Sequence, residues 1–284
     1  MRRPVPPHAY FAGSAVFHYL GPSFAVLLFA RVDVLGVAWL RIASAALALA
    51  AWRRPWRLLG RIEPQDRWLI AGLGGVFAAM NACFYLAIDR LPLATVAAIE
   101  FIGPIALALV GVRTARNVGA VAAVTAGVYL LTQARVAGDP AGVAWAFANA
   151  GLFTAYIVLA RRVARRSAAG GIDGLAAAMV FAFAMIAPIG AAGASAALSD
   201  PVALAAGVGV GVSSSVIPYV CDQLAMSRLP RATYALFVAL LPATAAIVGM
   251  VVLRQLLTMD ELAGVALVMA GVALHRQRPA VGDD

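Results

Sequence analysis

The sequence predicts an all-α polytopic membrane protein, with ten transmembrane helices arranged as two inverted five-helix repeats. Three observations predict this fold: the apolar composition, a succession of apolar runs of membrane-spanning length, and an internal sequence repeat. Of the 284 residues, 63% are hydrophobic and only 12% are charged, whereas a soluble domain carries about 25% charged residues. The chain is therefore expected to lie in a lipid bilayer.

Ten apolar runs of about 18 to 22 residues follow one another along the chain, each long enough to cross a hydrocarbon core of about 30 Å as an α-helix. The ends of the fifth and eighth runs are the least sharp, because both runs are rich in glycine. The predicted spans are residues 10–30, 34–52, 68–88, 92–112, 117–134, 141–160, 173–194, 202–226, 232–253 and 259–275.

The internal repeat is clearest around two prolines. The segment LAIDRLPLAT at 86–95 returns as LAMSRLPRAT at 224–233, and the offset from Pro92 to Pro230 is 138 residues. Since five spans per half is an odd number, the second half must enter the membrane from the opposite side, which is the inverted-repeat plan of many secondary transporters. The predicted repeats are residues 1–135 and 136–284.

The basic residues predict the orientation of the chain. All 22 of them are arginine, and the formal net charge is +9. With both termini in the cytoplasm, only Arg31, Arg90, Arg135 and Arg254 lie outside, and Arg41 lies within a span. This asymmetry is the positive-inside pattern of membrane proteins. Topology therefore explains the charge, and no nucleic-acid partner is expected.

Charged side chains are rare inside the predicted spans, which makes each one a candidate for function. Glu100 lies about 12 Å from the outer surface at a helical rise of 1.5 Å per residue, and Arg41 lies at a similar depth. We expect Glu100 to bind a substrate ammonium group or carry a proton, with Arg41 meeting a carboxylate or biasing that ionisation; the alternative is a structural ion pair. Asp222 is a second candidate for ammonium or proton binding, or else a cap for freed backbone N–H groups.

Uncharged polar and aromatic residues at comparable depth would complete a pocket. Asn81 and Tyr85 are four residues apart and share a helix face, Tyr219 is the repeat equivalent of Asn81, and Asn149 lies at matching depth. Each is also compatible with an ordinary interhelical hydrogen bond or an aromatic at headgroup level.

Three of the prolines inside predicted spans are candidates for helix kinks. Pro104 and Pro242 are repeat equivalents near the middle of their spans, and Pro218 lies within the eighth. Proline removes a backbone N–H and kinks a membrane helix or exposes its carbonyls to a cavity. We predict that these prolines shape a central path, with simple packing kinks as the alternative.

The residues expected of metal, nucleotide or catalytic sites do not form the usual patterns. The two cysteines and three histidines lack the spacing of metal ligands, and no G-x-x-x-x-G-K-[ST] sequence is present. We therefore expect no metal, no cofactor and no enzymatic activity. Transport would draw on an ion or substrate gradient, with protons as the first choice because of the buried acids.

Several motifs together resemble one transporter family. They are LR at 40–41, RRPWRL at 53–58, FYL at 84–86, EFIGP at 100–104 and IPY at 217–219. With them the chain resembles the EamA-type drug/metabolite transporters, and more narrowly the bacterial inner-membrane threonine/homoserine exporters. The resemblance implies ten helices in two inverted repeats, alternating access, location in the bacterial inner membrane, and export of amino acids or related metabolites.

The chain departs from those exporters at three acidic positions. Asp222 stands where they have Glu, while Leu241 and Gln255 replace acids of the second half. The negative charge within the spans is therefore expected to come from Glu100 and Asp222.

Two functional hypotheses follow. The first is a proton-coupled secondary exporter of small amino acids (threonine/homoserine-like) or related metabolites. The alternative keeps the fold and exports cationic or aromatic drugs or metabolites. The sequence leaves open whether the protein is a monomer or a homodimer.

Overall fold

A computed structural model describes residues 7–103, 114–136, 139–166, 172–226 and 241–274. All regular structure in these ranges is helical, which confirms the predicted all-α class. The first half contains α1 (Pro7–Leu28), α2 (Val34–Arg53), α3 (Pro55–Leu59), α4 (Pro64–Ile88), α5 (Leu93–Glu100) and α6 (Ala115–Val136). The second contains α7 (Pro140–Arg166), α8 (Ile172–Gly190), α9 (Ser195–Ser199), α10 (Pro201–Gly211), a π-helical segment (Val212–Val216), α11 (Ile217–Met226), α12 (Leu241–Leu253) and α13 (Met259–Leu274).

The helix ends follow from local sequence signals. The Asp33 carboxylate accepts hydrogen bonds from the backbone N–H groups of Leu35 (2.9 Å) and Gly36 (3.3 Å) at the start of α2. The Asp200 carboxylate does the same for the N–H of Val202 at the start of α10. Such side chains satisfy backbone donors that have no partner within the helix. Polar caps thus mark where these apolar helices begin.

Within the residues that the structure describes, five helices are long and apolar enough to cross a membrane, judged by length and composition. They are Val34–Arg53, Pro64–Ile88, Pro140–Ala160, Ile172–Gly190 and Pro201–Cys221. Shorter apolar helices occur at Ala12–Leu28, Ala115–Leu131 and Leu241–Leu253. Large apolar side chains such as those of Leu47, Trp68 and Val251 are exposed on the outside of the bundle, as expected for a surface that faces lipid tails.

The helices pack in a regular set of pairs. Helix α4 lies against α7 and α8, while α10 packs on α2 and α11 packs on α1. Helices α2 and α8, α5 and α12, and α6 and α13 form three further pairs. The close approach of α6 and α13 depends on glycine: a Cβ added at Gly127 would lie 2.6 Å from the carbonyl oxygen of Gly264. Small residues permit such contacts between membrane helices.

Two spans are interrupted near the centre of the bundle. Helix α5 ends at Glu100, and Phe101 forms a turn. The eighth predicted span is divided by the π-helical segment, and Pro218 lies in the first turn of α11 directly after it. Pro242 lies in α12, directly after residues 227–240, which the structure does not describe, and Pro104 falls outside the described residues.

Candidate functional site

A small cavity lies in the middle of the bundle, bordered by α1, α2, α4, α5, α7 and α11. Its volume is about 30 Å³, which is room for about two water molecules. We call it the central cavity. It is lined by His18, Pro22, Arg41, Met80, Asn81, Phe84, Glu100, Asn149, Phe153 and Tyr219.

One side of the central cavity carries hydrogen-bond acceptors. Glu100 is the last residue of α5, and its side chain is buried. The Nδ2 of Asn149, on α7, donates to Oε1 of Glu100 at 3.3 Å. Asn149 is fully buried, and its Oδ1 has no hydrogen-bond partner among the described residues. An unsatisfied buried oxygen costs free energy, so this side of the cavity favours a ligand that donates hydrogen bonds.

The other side of the central cavity carries hydrogen-bond donors, which belong to Arg41, a buried residue of α2. Its Nε donates to Oγ of Ser215 at 2.9 Å, and its Nη2 donates to the carbonyl oxygen of Ser214 at 3.2 Å. The guanidinium lies 5.5 Å from the centre of the Tyr85 ring. Arginine has five N–H donors, and these two hydrogen bonds use two of them.

Arg41 and Glu100 line the same cavity without forming an ion pair. No carboxylate oxygen among the described residues lies within 4.0 Å of the Arg41 guanidinium. A buried charge without a close counter-ion is expensive, because desolvation costs several kcal/mol. Arg41 and Glu100 thus face the same cavity without neutralising each other in a close pair.

Aromatic rings form the remaining wall. The ring of Tyr219 lies 5.8 Å from that of Phe77 and 6.5 Å from the imidazole of His18, measured between centroids. Phe153 stacks on Tyr156 at 6.3 Å. The rings of Phe84, Phe153 and Tyr219, which line the cavity, form its aromatic belt.

The structure brings together five of the predicted pocket residues: Glu100, Arg41, Asn81, Asn149 and Tyr219. Asn81 donates to the carbonyl oxygen of Phe77 on its own helix at 2.8 Å. Tyr85 does not line the central cavity but lies behind Arg41, and its buried hydroxyl has no hydrogen-bond partner among the described residues. The backbone of Asp222 lies on α11, and its side chain falls outside the described part of the structure.

Sequence reasoning did not select His18, Ser214 or Ser215. Serine in a membrane helix usually bonds a carbonyl of its own helix, so the run Ser213-Ser214-Ser215 gave no distinct signal. His18 lines the same cavity as Arg41.

Leu241 and Gln255, which replace acids of the exporters that the chain resembles, do not line the central cavity. The Oε1 of Gln255 accepts a hydrogen bond from the backbone N–H of Leu93 at 3.1 Å, at the start of α5. Leu241 begins α12 and packs against the apolar core. Within the described residues, no group of His, Cys, Asp or Glu is arranged to hold a metal ion.

The fold and this enclosed polar cavity are those of a membrane transporter, and comparisons with known proteins identify the family. The sequence pattern of the EamA-like transporter family matches residues 140–276. The chain is 33% identical over 255 residues to the threonine/homoserine exporter RhtA of Escherichia coli strain K12, covering 88% of this chain and 84% of that protein. It is 32% identical to the protein of the same name from Salmonella typhimurium strain LT2, with the same coverage. The chain belongs to the EamA-like transporter family.

A solved crystal structure has a similar fold. It covers 94% of this chain and 97% of its own, with a TM-score of 0.58 and 18% sequence identity. This likeness shows the fold alone. The family and the relatives confirm the resemblance found in the sequence and the membrane location.

Proposed function

We propose that this protein exports small neutral α-amino acids of the threonine/homoserine type by alternating access, with proton entry as the driving reaction. The observation that carries the proposal is the division of the central cavity into an acceptor side and a donor side. An amino acid at neutral pH carries an ammonium and a carboxylate a few ångströms apart, and this cavity offers a counter-group for each.

On the acceptor side, Glu100 and the free Oδ1 of Asn149 suit an ammonium group. An ammonium has three donors and no acceptor, so it can bond both oxygens at once. On the donor side, the remaining N–H groups of Arg41 suit a carboxylate, which guanidinium binds in a two-point arrangement. The exporters that this chain resembles are named for amino acids of this zwitterionic kind.

The ten-helix architecture with two inverted repeats, residues 1–135 and 136–284, is part of the proposal. The helix pairs support it. A shift of about 138 residues places α4 on α10 and α11, α7 on α1, and α8 on α2. The pair α4 and α7 therefore corresponds to α11 and α1, and the pair α4 and α8 corresponds to α10 and α2. Reciprocal glycine contacts also support it. A Cβ at Gly127 would lie 2.6 Å from the Gly264 carbonyl oxygen, and one at Gly264 would lie 2.7 Å from that of Gly127.

The proposed orientation places both termini in the cytoplasm of a bacterium, with the chain in the inner membrane. The end of the bundle that carries Arg31, Arg90 and Asp139 then faces outward. The support is the distribution of arginine along the sequence and the inner-membrane location that the sequence resemblance implies.

Two contacts support an occluded state for this conformation. Arg31 and Asp200 approach to 3.7 Å at the outer end, while Arg53 and Asp173 approach to 2.6 Å at the inner end. A cavity of about 30 Å³, with room for about two water molecules, is smaller than an amino acid. The cavity must therefore widen when it opens to either side.

In the proposed cycle, Glu100 binds either a proton or the substrate ammonium. Proton entry from outside neutralises the carboxylate, so the ammonium is released outward and the transporter returns with the proton. Asp222 remains a second candidate for proton binding, from the cytoplasmic side.

The experiment that tests the function is efflux from proteoliposomes preloaded with labelled threonine or homoserine, with and without an imposed proton gradient. Release that requires the protein and is stimulated by an inward proton gradient is the expected result. Protein-free vesicles and vesicles loaded with labelled glutamate are the controls, since a second carboxylate has no counter-group in the central cavity. Absence of protein-dependent release of any amino acid would overturn the proposal.

A second candidate function is export of cationic or aromatic amines. The specific observation that favours it is the aromatic belt of Phe84, Phe153 and Tyr219 beside the Glu100 carboxylate, since aromatic faces attract cations. The same vesicles loaded with an aromatic amine separate the two functions. Release of amines but not of threonine would establish the second.

A further inference from the structure

We propose that Ser215 is a positioning residue that makes the transporter select substrates with a carboxylate. It does so by holding the Arg41 guanidinium in the orientation that receives this group. The inference rests on the proposed function, because it concerns the donor side of the same cavity.

The two hydrogen bonds from Arg41 fix the whole guanidinium. Its Nε donates to Ser215 Oγ at 2.9 Å and its Nη2 donates to the Ser214 carbonyl oxygen at 3.2 Å. A guanidinium is planar, so two bonds along the edge formed by Nε and Nη2 set the plane and the direction of the group. The adjacent edge, formed by Nη1 and Nη2, keeps its N–H groups for a carboxylate.

The Ser214 carbonyl is available because of the sequence that follows it. In an α-helix this carbonyl would accept from the N–H of residue 218, but Pro218 has no N–H. The chain here is π-helical, with the N–H of Ile217 donating to the carbonyl of Val212. π-Helical turns of this kind occur frequently at functional sites. Pro218 thus frees a carbonyl that Arg41 uses.

The missing N–H of Pro218 explains the contact of Ser214 with Arg41, but it does not explain the contact of Ser215. It is fully buried, and its hydroxyl is the acceptor for Nε of Arg41. Its neighbour Ser213 is half-buried and donates to the Val210 carbonyl oxygen at 3.2 Å, within its own helix. Ser213 therefore provides a matched control: the same residue type, two positions away, without a contact to Arg41.

The test compares two molecules of nearly the same shape in the proteoliposome assay. Transport of labelled threonine gives its KM and maximal rate, and inhibition by unlabelled threonine amide gives a Ki for an analogue whose carboxylate is replaced by a neutral amide. For Ser215→Ala we expect the KM for threonine to rise about tenfold, the effect of losing one hydrogen bond to a charged group. The Ki of the amide and the maximal rate should stay unchanged.

Three further variants make the outcome decisive. Ser213→Ala should behave as the wild type, and Ser215→Thr, which keeps the hydroxyl, should restore the KM. Ser215→Cys fills the same space with a weak acceptor and replaces the alanine variant if that one does not fold.

An equal rise in the KM for threonine and the Ki of the amide would overturn the inference, as would a fall in the maximal rate alone. Both would mean that Ser215 serves only packing. If the wild type transports no amino acid, the proposed function itself fails. If it transports threonine and Ser215→Ala changes no more than Ser213→Ala, only the present inference fails.

Discussion

At the scale of single residues, Glu100 is the group on which proton coupling should depend. Glutamine has nearly the same shape and can still accept from Asn149 Nδ2, which lies 3.3 Å from Glu100 Oε1, but it cannot bind a proton or carry a charge. We expect Glu100→Gln to lose the whole gradient-stimulated component of threonine efflux while inserting normally into the membrane. Efflux from proteoliposomes with equal amounts of incorporated protein measures the effect.

A matched control for this variant is Glu63→Gln. Glu63 is exposed just before α4 and distant from the central cavity, so its replacement should leave efflux at the wild-type rate. Near-normal, gradient-stimulated efflux by Glu100→Gln would remove this carboxylate from the mechanism and leave Asp222 as the remaining acidic candidate.

The residue scale also shows what the sequence could and could not predict about the site. Glu100 and Arg41 stood out because a charge in lipid is costly and seldom kept without a function. Ser215 did not, because serine in a membrane helix usually bonds a carbonyl of its own helix, as Ser44 does to Leu40 at 2.7 Å. Only the tertiary arrangement distinguishes Ser215 from Ser44.

At the scale of helices, the contact between α2 and α10 positions the donor side of the cavity. Gly211 is buried at this contact, and a Cβ there would lie 2.6 Å from the Arg41 carbonyl oxygen. Gly211→Ala should therefore push α10 away from α2 and cost about 1–3 kcal/mol of stability, as overpacking usually does. We expect a lower Tm in detergent and a higher KM for threonine.

Gly209 offers the matched control on the same helix. It is exposed, and a Cβ there would meet no atom within 4 Å. Gly209→Ala should leave transport unchanged and raise Tm slightly, because alanine is a better helix former than glycine by about 1 kcal/mol. Equal Tm values for the two variants would contradict the close packing of α2 and α10.

Helix positions were largely predictable from the sequence, and Pro218 indicated an irregular eighth span, but the π-helical form of that irregularity was not predictable. The predicted span 34–52 corresponds to α2 at Val34–Arg53, because an apolar run and the Asp33 cap define it locally. The predicted span 202–226 is instead divided into α10, the π-helical segment and α11. Ser214 and Ser215 of the π-helical segment contact a distant partner, Arg41, and no local pattern contains that information.

At the scale of the whole molecule, contacts between the halves hold the proposed outer end closed. Arg90 donates to the Asp139 carboxylate at 3.3 Å. The backbone N–H of Gly142, together with Arg90, holds the pKa of Asp139 below its usual range. A lowered pKa means that this link persists above the unfolded-state pKa and is lost only as the pH falls through the folded value. The link therefore stays intact at physiological pH.

Alternating access requires the two halves to separate at the outer end, where α5 meets α12. A Cβ at Gly249 would lie 3.7 Å from the Cβ of Leu93, within the range of about 3.5–4.5 Å found in disulfides. We expect the pair Leu93→Cys and Gly249→Cys, in a chain whose Cys83 and Cys221 are replaced by alanine, to cross-link on oxidation. Threonine efflux should then fall to background, because the bond prevents outward opening, and a reducing agent should restore it.

Each cysteine alone, treated with the same oxidant, controls for chemical damage and should transport normally. Mass spectrometry of the joined peptides establishes how much of the protein is cross-linked. Full efflux from fully cross-linked protein would mean that α5 and α12 remain together throughout the cycle, and outward opening would then have to occur elsewhere, between α1 and α10. The cross-link therefore tests whether α5 and α12 must separate at the outer end during threonine efflux.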